Sequence, residues 1–249
     1  MGHTPNVRGK ERGERRARRG LGEIFPREIP QGITTHDGLC SRIALGAGCR
    51  VVSVEYRLAP EHRCPAAADD CLAATRWVLT HAEELGLDHR RIAVAGDSAG
   101  GNLSAVVSRE TSGDARRPAL QVLLYPALDA TLSLPSHRTF AERYFLTAGM
   151  CARYYDHYLG GQDPRSPAAS FLLTPDVSNV PALVYTAGFD PLRDEGKAFA
   201  DRLRAAGTRV TYREFADTVH GFALMTGALA SGRDATNEVI GEIARRLRG

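Results

Sequence analysis

From about residue 35 onward, short continuous apolar runs rich in β-branched residues alternate with longer stretches whose apolar positions recur at helical spacing. The runs VVSV, IAVA, QVLLY and ALVYTA are apolar at consecutive positions, as in strands covered on both faces. The pattern predicts strands over Arg50–Tyr56, Arg91–Ala95, Leu120–Tyr125, Ala182–Ala187 and Arg209–Phe215. It predicts helices over His36–Ala47, Pro65–Leu85, Ala99–Arg109, Ala148–Leu159, Glu195–Ala206 and Asp234–Leu247. In the second helix, proline suits the first turn, and Ala68, Cys71, Leu72, Thr75, Val78 and Leu79 share one face. Regularity weakens between residues 126 and 181, which contain Pro135 and the turn-rich GGQDPRSP, so an insertion is expected over about 133–180. Strand–helix alternation of this kind implies an α/β protein, a mostly parallel sheet between two helical layers.

Composition narrows the class. A chain of 249 residues with 43% hydrophobic, 24% charged and 7% aromatic side chains can bury a full core without disulfide or metal staples. No run approaches the roughly 18 apolar residues needed to span a bilayer, and the Arg-rich start has no apolar signal region, so neither membrane insertion nor secretion is expected. The net charge is +3, but residues 1–33 carry eight basic side chains against four Glu. The positive charge therefore belongs to an amino-terminal segment, expected to be solvated and poorly ordered. It does not form a basic face on the folded domain, which argues against nucleic-acid binding. Five cysteines without a CxxC pair fit a reduced, cytoplasmic protein.

Candidate chemistry centres on GDSAGG, Gly96–Gly101, between the strand RIAVA and the helix GNLSAVVS. In a nucleophile elbow the chain turns so sharply that small residues are needed two before and two after the serine, here Gly96 and Gly100, and the turn lifts Ser98 clear of the sheet. A serine hydroxyl is a poor nucleophile at neutral pH and needs a base, which in turn needs an orienting carboxylate. Asp190 follows the strand ALVYTAGF, and His220 follows RVTYREF, so each falls where open α/β sheets gather functional groups, at strand carboxyl ends. The order Ser, Asp, His also fits a nucleophile-elbow protein.

Plainer readings exist for each residue. GDSAGG could be only a tight strand-to-helix junction. Asp190 could cap the following helix, with Asp194 as a rival acid, and His220 could be a loop histidine without a role. His36 and His62 read as hydrogen-bonded structural groups. No HExxH, EF-hand loop, His/Cys cluster or Walker loop occurs in the sequence, so no metal or cofactor is implied.

YRLAPEH at Tyr56–His62 followed by PAAADDC, GDSAGGNL at Gly96–Leu103, DPLRDEG at Asp190–Gly196 and HGF at His220–Phe222 together resemble the bacterial hormone-sensitive-lipase-like carboxylesterases of the α/β-hydrolase fold. The resemblance covers about residues 34–249, the expected catalytic domain. It implies Ser98 as nucleophile, His220 as general base and Asp190 as its partner, acting on small carboxylic esters with short or medium acyl chains. Asp97 would be the variable residue beside the nucleophile, and the Ala99 N–H, at a helix start, would donate to the oxyanion. The insertion would contribute a lid or acyl pocket, and an edge strand would join a homodimer.

The chain departs from that family at its amino end. Members carry an internal strand ending in an HGG or HGGG loop, which supplies the remaining oxyanion donors. The corresponding place here reads roughly IFPR, Ile24–Arg27, preceded by RRGLGE, which cannot make a buried apolar strand. An N-terminally truncated hydrolase core is thus expected, its strands VVSVEY and RIAVA lacking a shared neighbour. The abrupt composition change suggests that residues 1 to about 33 arise from a shifted reading frame, a rearrangement or a misplaced start codon; in the alternative, Leu21–Ile33 is a substitute strand with Gly22 or Gly32 as donor. Loss of one oxyanion donor costs about 10²–10³ in rate, so a non-catalytic module binding a small molecule or a protein stays open beside the esterase. A peptidase or acyltransferase on the same residues also remains.

Overall fold

The computed structural model describes residues 36–248 and, in backbone, the strand β1, Val7–Gly9. The other elements are α1 (Asp37–Ala47), β2 (Val52–Val54), α2 (Ala66–Thr80), β3 (Ala93–Asp97), α3 (Ala99–Glu110), β4 (Leu120–Leu124), α4 (Pro135–Thr139), α5 (Ala148–Leu159), β5 (Ala182–Phe189), α6 (Arg193–Ala205), β6 (Val210–Val219) and α7 (Ala230–Arg248).

Strands β3, β4, β5 and β6 lie side by side in that order, all parallel, with Ala95 opposite Val122, Val122 opposite Leu183 and Val184 opposite Tyr212. Successive side chains of a strand point to opposite faces. On one face Ala95, Val122, Leu124, Leu183 and Tyr185 pack against Leu39 and Ile43 of α1 and Val239, Ile240 and Ile243 of α7. On the other, Val94, Leu123 and Val184 meet Cys71 of α2, Leu103 and Val107 of α3, and Phe199 and Leu203 of α6. The consecutive apolar runs thus feed two cores at once, which explains why they show no alternation. At about 25 cal/mol per Å² of apolar area removed from water, these two cores are the main favourable term in folding.

Several boundaries differ from the sequence reading. Helix α2 stops at Thr80 rather than near Leu85; turns follow, and Gly86, at φ 66°, takes a left-handed conformation that glycine adopts without strain. Helix α4 is a single short turn begun by Pro135, too brief to leave a periodic trace. Strands β5 and β6 run past Ala187 and Phe215 to Phe189 and Val219, which pair with each other. The added part of β6, Ala216–Val219, mixes exposed Ala216 and Asp217 with buried Thr218, so it has no apolar run, and backbone pairing rather than hydrophobic pattern extends it. Helix α7 begins four residues ahead of Asp234.

Strand β2 is bonded to β1, antiparallel, with Val7 opposite Val54, and among the described residues it shares no ladder with β3–β6. Among the described residues no strand lies between β2 and β3. Ile24–Arg27, Gly22 and Gly32, and with them the expectations attached to the amino-terminal segment beyond β1, lie outside the described residues.

Candidate active site

Three loop ends converge at the carboxyl edge of the sheet. Ser98 sits between β3 and α3 at φ 54°, ψ −119°, a conformation rare for a residue with a side chain. The surrounding backbone secures it. The Ser98 N–H donates to the Leu124 carbonyl at 2.9 Å, and the Ser98 carbonyl accepts from the Ala127 N–H at 3.0 Å. A Cβ on Gly96 would stand 2.2 Å from the Gly100 carbonyl oxygen, and one on Gly101 would stand 2.6 Å from Cβ of Pro126, so only glycine fits at either place. The Asn102 amide donates to the Ala127 carbonyl at 2.8 Å, tying α3 to the loop after β4.

His220 follows β6 directly and faces that elbow. Its Nε2 lies 2.9 Å from Ser98 Oγ, and its Nδ1 lies 2.8 Å from Asp190 Oδ2. The second Asp190 oxygen accepts the Leu192 N–H at 2.9 Å. Asp190 is wholly buried, and Ser98 and His220 are each only 5% exposed, so bulk water does not screen these contacts. An ionised carboxylate can only accept, so Nδ1 carries a proton toward Asp190 and Nε2 is left to accept from the serine hydroxyl. Such a relay can take a proton from Ser98 and hold the resulting imidazolium. The Ala99 N–H opens α3 beside the hydroxyl, where the helix dipole favours negative charge.

The rival acid is elsewhere. Asp194 accepts the Ser136 N–H at 2.9 Å and pairs with Arg193 at 2.9 Å. His36 is buried with its Nε2 3.2 Å from Asp97 Oδ1, while His62 is exposed on a turn. Two further buried groups belong to no sequence motif. The Tyr125 ring packs edge-on against His220 at 4.8 Å and its hydroxyl donates to Asp97 Oδ2 at 3.3 Å, joining the residue beside Ser98 to the imidazole wall. The only sequence signal was a tyrosine closing an otherwise aliphatic buried run. Glu195 in α6 is fully buried, 3.4 Å from His137 Nε2, and accepts the Leu128 N–H at 3.1 Å; an acidic residue early in a helix gave no hint of that burial. Among the described residues no group of three or more His, Cys, Asp or Glu side chains is placed to hold a metal ion.

Comparison with known proteins places this architecture. A family model for the alpha/beta hydrolase fold matches residues 29–224. The chain belongs to the α/β-hydrolase fold family. The chain is 42% identical over 224 residues to the carboxylic ester hydrolase LipN of Mycobacterium tuberculosis, covering 86% of the chain and 60% of LipN. It is 41% identical over 223 residues to the carboxylesterase NlhH of the same organism, covering 87% of the chain and 70% of NlhH. It therefore spans between about three fifths and seven tenths of the length of these relatives. Among solved structures it resembles LAE6, an alpha/beta hydrolase enzyme from the metagenome of Lake Arreo, Spain. The TM-score there is 0.91 at 37% identity, over 100% of this chain and 81% of that one.

Proposed function

We propose that this α/β hydrolase is a serine carboxylesterase acting on short- to medium-chain acyl esters through an acyl-serine intermediate. The observation that carries the reading is the buried imidazole of His220 bridging Ser98 Oγ and Asp190 at 2.9 and 2.8 Å. In the acylation step Ser98 Oγ attacks the ester carbonyl carbon as His220 Nε2 takes its proton. The imidazolium is stabilised by Asp190, and the carbonyl oxygen becomes an oxyanion that accepts from the Ala99 N–H. The C–O bond to the alcohol then breaks, and His220 returns the proton to the departing oxygen. Water, deprotonated by the same imidazole, attacks the acyl-serine and releases the acid. Gly96, Asp97 and Gly100 shape the elbow that holds the hydroxyl. The cycle draws on no cofactor.

Hydrolysis of p-nitrophenyl butyrate tests the reading directly. Ser98→Ala is expected to abolish turnover and Asp190→Asn to lower kcat about 10⁴-fold, and a fluorophosphonate probe should label wild type but not Ser98→Ala. Equal rates in wild type and Ser98→Ala would instead make the chain a non-catalytic binding module. The same reading carries a cytoplasmic location, supported by five cysteines without a CxxC pair, and a homodimer joined along β6, one of the two outer strands of the four-stranded sheet, which sedimentation velocity tests.

A further inference from the structure

The loop joining α4 to α5 carries a phenylalanine held in an unusual way. Its start is anchored by aromatic packing. Phe140 is buried edge-on to Tyr144 at 5.5 Å and Phe189 at 6.1 Å, the Arg193 guanidinium lies 4.9 Å over the Phe140 ring, and Tyr144 stacks flat on Phe189 at 5.1 Å. Its end is anchored by Leu146, buried with Cys151 and Leu192. Between these anchors Phe145 turns outward and is 63% exposed. Its backbone lies at φ 64°, and that of Arg143 at φ 77°, a region that bulky residues avoid. A large apolar ring is thus presented to solvent on strained backbone by a well-packed frame, an arrangement that packing alone does not call for.

Its position gives the ring a role. Cε1 of Phe145 lies 3.6 Å from the point where a Cβ on Gly221 would stand, and Cε of Met225 lies at the same distance. Gly221 directly follows His220, so the ring lies against the backbone next to the residue that carries the imidazole. In acylation His220 Nε2 hands its proton to the oxygen of the leaving alcohol. That oxygen must come within hydrogen-bond reach of Nε2, which sets the alcohol portion of the ester on the His220 side of Ser98.

We propose that Phe145, with Met225 beside it, forms an apolar shelf for the alcohol portion of the substrate and selects esters of aromatic alcohols over esters of small ones. The proposal rests on the esterase reading above and names the substrate feature that this site sorts. The shelf acts while the alcohol is attached, in acylation, and has no part in hydrolysis of the acyl-serine. Its removal therefore lowers kcat/KM for aryl-alcohol esters without altering the preference among acyl groups.

The experiment compares methyl butyrate, benzyl butyrate and benzyl acetate in wild type, Phe145→Ala and Phe145→Gly. The glycine variant suits the left-handed backbone and guards against misfolding. Both variants are expected to lower the benzyl-to-methyl ratio of kcat/KM about tenfold. The rate on methyl butyrate should stay within about twofold and the butyrate-to-acetate ratio on benzyl esters should stay unchanged, with partial rescue in Phe145→Leu. Equal loss on methyl and benzyl butyrate, an unaltered ratio, or a changed acyl preference overturns the shelf while leaving the esterase intact. Absence of any Ser98-dependent hydrolysis by wild type overturns both.

Discussion

Ser98 and Gly96 place opposite demands on three residues of backbone. The serine is held at φ 54° so that its hydroxyl leaves the sheet, and the turn this requires brings the Gly100 carbonyl against position 96. Strain at the serine is tolerated because hydrogen bonds to Leu124 and Ala127 hold its peptide groups on either side. The cost of a side chain at position 96 follows from the 2.2 Å approach, since its neighbour there is backbone rather than a movable side-chain tip. Gly96→Ala is expected to lower unfolding free energy by more than about 3 kcal/mol, measured by urea denaturation. A loss below about 1 kcal/mol would mean that the elbow relaxes at little cost.

The ends of secondary-structure elements decide where the chemistry sits. Because β5 and β6 stay paired as far as Phe189 and Val219, Asp190 and His220 emerge side by side from adjacent strands, each one residue past its strand end. Helix α6 adds a second junction. Burial pushes the Glu195 carboxyl from its ordinary 4.5 up to about 7, against the opposing pull of His137 and the Leu128 N–H and with a smaller upward push from Asp129. Between those two values the folded protein binds a proton there that the unfolded chain has released, so this group makes stability fall as pH rises from about 4.5, with the loss complete above about 7. Glu195→Gln keeps the shape and cannot ionise. Relative to wild type, its stability is expected to climb by on the order of 2–3 kcal/mol between pH 4.5 and 7.5, read from denaturation midpoints across that range. Parallel pH profiles for the two proteins would mean that Glu195 titrates in its ordinary range. The junction matters for the site because Glu195 holds Leu128, the neighbour of Ala127, whose N–H supports Ser98.

The molecule as a whole divides its backbone pairing unevenly. Strands β4 and β5 have parallel partners on both sides and helices over both faces, whereas among the described residues β2 pairs with β1 and shares no ladder with β3. Protection from hydrogen exchange follows such differences, since local opening is easiest where few buried contacts must break. Amides of Leu183–Tyr185 are expected to exchange at the rate of global unfolding and those of Val52–Val54 at least about tenfold faster, measured by mass spectrometry on native protein. Equal protection would show that β2 opens only with the whole sheet. Ser98, Asp190 and His220 are all carried by strands of the four-stranded sheet.

Much of this was legible from the primary order. Buried strands announce themselves through consecutive apolar residues, and an elbow through glycines flanking a serine, because burial and tight turning each restrict which side chains are allowed. The order of Ser98, Asp190 and His220 was readable for the same reason. The last residues of β5 and β6 were not, since those strand ends carry no apolar run and are held by backbone bonds that any side chain permits. Nor were the Tyr125 contact with His220, the burial of Glu195 or the outward placement of Phe145. Each depends on which distant segment comes to lie alongside, and a tyrosine, a glutamate or a phenylalanine has the same local preferences wherever it ends up. Sequence fixes what a residue can do; packing of remote segments sets which neighbours it does it with.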